Sequence, residues 1–132
     1  MKKINHKAVW LVILISQILP FIWYVFFSEL WIELNNISIE KINIFPFNAF
    51  IVGILSSISL SYMMAWIYER MNVNGLKDGL ITAFIIGFPI AILNYMTVLL
   101  FSFRPYALVW LDGGINLILW VIAGGIIGTW KK

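Results

Sequence analysis

The residues in this chain best placed to do chemistry are an acid, an amide and two glycines set where polar groups are expensive. They are Asp112, Gly113, Gly114 and Asn116, within the run WLDGGINLILW over 110–120. Between Arg104 and Lys131 no other charged residue occurs. Asp112 and Asn116 are four apart, which puts both on one face of a helix. A carboxylate so placed can hold a cation, carry a proton or bond to polar neighbours. The two glycines beside it let another backbone, a water or a ligand come close.

Other chemistry is scarce. The chain has no cysteine, so thiolate catalysis, disulfides and cysteine metal sites are excluded. Its one histidine, His6, lies in a basic N-terminal tail, and no His/Asp/Glu group has metal-ligand spacing. No serine has a histidine base in view, and no phosphate-binding glycine loop precedes a helix. Glu69, Arg70, Lys77 and Asp78 sit close in sequence and neutralise one another. This inventory argues against an enzyme, and no metal or cofactor is expected.

The elements that must position Asp112 follow from composition. Hydrophobic residues make up 62% of the 132 residues and charged residues 11%, against roughly a quarter charged in soluble domains. Such a chain cannot cover itself with polar surface, so the lipid bilayer is its expected surrounding. About 20 apolar residues cross a bilayer, and four segments qualify: 8–28, 47–68, 79–103 and 105–130. These make residues 1–132 a single all-α, four-span membrane domain. A cleaved signal peptide is the alternative for the first span, but its apolar stretch is long and no small-x-small cleavage site follows. Between spans one and two, residues 29–45 hold Glu29, Glu33, Asn36 and Glu40 opposite Leu30, Leu34 and Ile37. That spacing suits an interfacial helix, although IEKINIF alternates like a strand and an extended loop fits equally.

Basic residues set the orientation. With both termini cytoplasmic, the inner side holds Lys2, Lys3, Lys7, Arg70, Lys77, Lys131 and Lys132, and the outer side only Lys41 and Arg104. The net charge of +3 therefore orients the chain and does not indicate nucleic-acid binding. The location implied is a cytoplasmic membrane.

In lipid, helices associate where small residues allow close approach. Gly79, Ala83, Gly87 and Ala91 recur every fourth residue along span three, and Gly124 and Gly128 lie four apart in span four. At about 1.5 Å per residue, Asp112 and Asn116 lie roughly 12 and 18 Å below Arg104, and Asn94 about 15 Å below it on the preceding span. Gln17 is about 17 Å below Ser28, and Ser57 about 15 Å below Phe47. All four spans thus bring a polar side chain to a similar depth. One expectation is a polar pocket of Asp112, Asn116, Asn94, Gln17 and Ser57 between the helices. Two alternatives are interhelical hydrogen bonding alone, and an Asp112 drawn up toward Arg104 at the interface. Pro20 and Pro89 interrupt the backbone bonding of spans one and three and predict kinks.

With Trp23-Tyr24 at the end of span one, Trp31, Asp78-Gly79, Gly87-Phe88, Arg104-Pro105, Asp112-Gly113 and a glycine-rich end closing on Trp130, the chain resembles a family of small bacterial integral-membrane proteins known only as domain of unknown function 1761. The resemblance covers nearly the whole chain. It implies a four-helix protein of a bacterial inner membrane and brings no activity or site. The expected function is a small binding or transport unit for a ligand or ion, homo-oligomeric through the stripe on span three. The alternative is an accessory subunit that docks on a larger membrane complex through the same stripe.

Overall fold

The computed structural model describes residues 3–41 and 46–130. Four helices in it are long and apolar enough to cross a membrane: His6–Phe26, Phe47–Arg70, Leu76–Phe101 and Val109–Thr129. Each falls within a few residues of the expected span. The largest departure is at the fourth, which the sequence starts at Pro105. Phe103 adopts a left-handed conformation (φ 56°), and the chain turns through 102–106 before helical geometry resumes. The 42–45 part of the expected interfacial segment lies outside the described residues.

Helix α1 (His6–Phe26) is capped by Asn5, whose side chain accepts from the Lys7 and Ala8 amides. The same side chain donates to the Trp130 carbonyl at 2.7 Å. One asparagine therefore starts the first span and ties it to the end of the last. Both described ends of the chain meet on one side of the bundle, called here the terminal end; the other is the distal end. Beyond α1, α2 (Ser28–Asn35) is a short helix. A 3₁₀ turn at Ile39–Lys41 follows it. Asn36 ends α2 in the left-handed region (φ 51°), and the Ile37 amide bonds back to the Ile32 carbonyl. This is the six-residue closure that satisfies a helix's last carbonyls. Asn72 closes α3 (Phe47–Arg70) in the same way, through Val73 and Tyr68. Phe103 closes the third span likewise, through Arg104 and Leu99.

The third and fourth spans are not uniform helices. The third comprises α4 (Leu76–Phe88), a π-helical stretch (Pro89–Asn94) and α5 (Tyr95–Phe101). Pro89 explains the change. It offers no N–H and its ring crowds the carbonyl four residues back, and a wider turn relieves that crowding. The fourth opens with a π-helical stretch (Val109–Gly113) and continues as α6 (Gly114–Thr129).

The strongest interhelical contact joins α4 to α6. Gly79, Ala83, Gly87 and Ala91 are all buried, and they lie against the fourth span of the same chain. A Cβ on Gly79 would collide with the Gly124 carbonyl oxygen, and one on Gly87 would come within 2.7 Å of Trp120 Cβ. A Cβ on Gly128 would stand 2.9 Å from the Gly79 Cα. Tyr68, completely buried, crosses from α3 and donates from its hydroxyl to the Gly79 carbonyl at 2.5 Å. This geometry corrects the expectation that the stripe docks a second copy or a foreign subunit. It is already occupied within the chain.

Candidate functional site: a carboxylate held by two tyrosines

The two π-helical stretches face one another. A Cβ on Gly113 would lie 2.6 Å from the Ala91 carbonyl oxygen and 3.2 Å from Ile92 Cδ1, so only glycine lets the two wide turns approach this closely. Gly114, one residue on, has nothing within 4 Å of a built Cβ. Of the two glycines, Gly113 serves the contact. π turns recur at functional sites because they re-aim a side chain without ending the helix.

The side chain aimed here is Asp112. Its Oδ1 accepts from the Tyr24 hydroxyl on α1 at 2.6 Å, and its Oδ2 accepts from the Tyr95 hydroxyl at the start of α5 at 2.6 Å. Nearby, Trp23 Nε1 donates to the Leu111 carbonyl at 3.0 Å. Three spans thus converge on one turn. Placing an acid in a membrane helix costs about 3 kcal/mol on insertion scales. Hydrogen bonds to a charged group return about 1.5–3 kcal/mol each in soluble proteins and nearer 1 kcal/mol in membranes. Two such bonds offset most of the cost without an ion pair. Arg104 does not supply one: its guanidinium donates to the Asn35 side chain at the end of α2. The alternative in which Asp112 rises to Arg104 is therefore not what the fold adopts.

Asp112 and Tyr24 line an open hollow at the distal end, with Ser28, Trp31 and Ile32 as its other walls and a volume of about 430 Å³. Tyr24 and Trp31 meet edge to face, their ring centroids 6.3 Å apart and their planes at 78°. The lining is aromatic and apolar apart from the carboxylate and two hydroxyls.

The other polar residues singled out from sequence lie elsewhere. Gln17 Nε2 donates to Ser57 Oγ at 2.8 Å, and Ser57 in turn donates to the Gly53 carbonyl. Both line a separate groove of about 320 Å³ between α1, α3 and α6, where Asn116 also sits. Asn94 lines neither hollow and is exposed on the bundle surface. The expected single pocket is thus divided: Asp112 in one place, Gln17, Ser57 and Asn116 in another, Asn94 in neither. The reason is angular. The π stretch at Pro89–Asn94 changes the phase of the third span, so that Tyr95 and not Asn94 turns toward Asp112.

Tyr24 and Tyr95 were not among the residues expected from sequence. One signal for Tyr95 was present. The stripe Gly79, Ala83, Gly87, Ala91, extended by the same step, reaches Tyr95 and then Leu99, which is fully buried. Tyr24 stood out only within the Trp23-Tyr24 pair of the resemblance, with nothing to tie it to Asp112, because a tyrosine near a span's end is more often an interfacial anchor.

Among the described residues no group of three His, Cys, Asp or Glu side chains could hold a metal ion. His6, at the exposed terminal end, pairs with the Tyr62 hydroxyl at 3.0 Å. What the distal arrangement offers is a fixed carboxylate beside aromatic walls.

A small, multi-span membrane protein with such a centre matches one family model, described as a protein of unknown function (DUF1761), over residues 7–128. The chain belongs to that family. No curated protein and no solved structure matches it.

Proposed function

We propose that this chain is a small binding or transport unit of a bacterial cytoplasmic membrane whose ligand or ion site is centred on Asp112. One observation carries the reading: a lone intramembrane carboxylate, fixed by hydroxyls from two other spans, forms part of the wall of an open hollow. Ionisable groups within the bilayer are rare and mark ligand or ion sites by default. The seven-to-two distribution of basic residues supports cytoplasmic termini, which puts the hollow toward the external face.

The test is binding and flux with purified chain in proteoliposomes, using sodium, benzyltrimethylammonium, acetate and glycerol as the solute panel. At least one solute is expected to bind in the wild type and to lose binding in Asp112→Asn. Identical behaviour of the two proteins across the panel would overturn the reading.

A second reading, association with another copy or with a larger complex, is favoured by Asn116. It is exposed on α6 and has no hydrogen-bond partner among the described residues. Amides that face another helix act as interhelical glue in lipid. Native mass determination after mild extraction separates the outcomes: a homo-oligomer fits the self-contained unit, and a stoichiometric foreign protein fits an accessory subunit.

A further inference from the structure

Resting on the binding-unit reading, we propose that the hollow beside Asp112 takes a small organic monocation, an alkylated or aromatic ammonium, with the carboxylate as counter-ion and the Trp31 and Tyr24 rings as walls.

Charge gives the sign of the ligand. Among the described residues Asp112 has two hydrogen-bond partners, both neutral hydroxyls. The one cation at the distal end of the fourth span, Arg104, is directed to Asn35. As a carboxylate, Asp112 has no ion-pair partner among the described residues, and its attraction for a cation is stronger in a half-buried hollow than in bulk water.

Lining gives the chemical class. A bare calcium ion takes six to eight oxygens and magnesium six. This hollow offers the carboxylate, the Tyr24 hydroxyl and the Ser28 hydroxyl, the last already donating to the Val25 carbonyl. An ammonium with carbon substituents needs fewer oxygens. It is held by one anion and by aromatic faces, which attract cations through their quadrupole. The perpendicular Tyr24 and Trp31 rings give the cavity two aromatic walls. Its volume of about 430 Å³ suits a compact organic molecule and far exceeds a single ion.

The experiment compares benzyltrimethylammonium with neopentylbenzene, its uncharged isostere, and with sodium. Binding is measured on purified chain in lipid nanodiscs and taken as the difference from Asp112→Asn, which removes partition into lipid. The organic cation is expected to bind at least about tenfold more tightly than either comparator. Trp31→Leu should weaken it by about tenfold, and Trp31→Phe, which keeps a ring face, by no more than about threefold. Each variant is assayed only as monodisperse protein with the wild-type circular dichroism spectrum, so the Trp31→Phe result separates a ring-face role from a folding role.

Asp112-dependent binding of sodium or acetate without benzyltrimethylammonium would overturn this inference and leave the binding-unit reading standing. So would equal affinity of Trp31→Leu and wild type. Absence of any Asp112-dependent binding would overturn both.

Discussion

The terminal and distal halves of the bundle use glycine and tyrosine for opposite ends. In the terminal half, Gly79, Gly124 and Gly128 remove side chains so that α4 and α6 touch through their backbones, and Tyr68 is sealed against the Gly79 carbonyl. In the distal half, Gly113 permits two wide turns to meet, and Tyr24 and Tyr95 hold a carboxylate at the edge of an open hollow. The first arrangement leaves no room for a ligand between the facing backbones of α4 and α6. The second keeps a polar centre within reach of a ligand. Close packing in lipid therefore serves here as a rigid base, and the site is built where that packing is interrupted by Pro89 and by the Val109–Gly113 turn.

This contrast can be broken most severely at the seam. A Cβ on Gly124 already collides with Ala83 Cβ and stands 2.5 Å from the Tyr68 hydroxyl. Gly124→Val is expected to cost about 3 kcal/mol or more, at the upper end of overpacking effects. The check is a fall in melting temperature and in the yield of monodisperse protein. Gly87→Leu meets the rigid Trp120 side chain and should behave alike. Because the stripe is internal, this loss should appear as instability and not as a lower oligomeric state.

A smaller effect is expected at the distal centre. Tyr24→Phe and Tyr95→Phe each remove one donor to Asp112, at about 1–2 kcal/mol apiece. Thermal denaturation of the two single variants and the double variant measures their coupling. Since both hydroxyls serve one carboxylate, the double loss should differ from the sum by about 0.5 kcal/mol or more. Strict additivity would mean the carboxylate does not link them.

The sharpest comparison is between adjacent glycines. Gly113→Ala drives a methyl against the Ala91 carbonyl and should cost about 1–3 kcal/mol. Gly114→Ala meets open space and should be neutral or gain up to about 1 kcal/mol from helix propensity. Equal melting temperatures for the two would refute the close approach of the π turns.

The spans were legible in the sequence because hydropathy depends only on length and composition. The small-residue stripe was legible as a contact face, but not as an internal one. Spacing alone does not say whether a groove is filled by the same chain. The site was half legible. Asp112 announced itself as an acid in an apolar run, whereas Tyr95 was signalled only as the next step of the small-residue stripe and Tyr24 only within the Trp23-Tyr24 pair of the family resemblance. Depths counted at a constant α-helical rise brought Asn94, Gln17 and Asn116 to the level of Asp112, yet depth says nothing of angle. The π stretch after Pro89, readable beforehand only as a kink, changes which residues face inward and so exchanges Asn94 for Tyr95.

The most direct single measurement is solid-state NMR of the Asp112 carboxyl carbon in lipid. Asp112 and Asp78 are the only aspartates, so aspartate labelling of an Asp78→Asn background isolates the signal. The carboxyl resonance is predicted to move in Tyr24→Phe, to move again in the double variant with Tyr95→Phe, and to shift on addition of benzyltrimethylammonium to the chain with both tyrosines intact. A resonance unchanged by either tyrosine and by the cation would contradict the account of Asp112 as a hydroxyl-held binding centre.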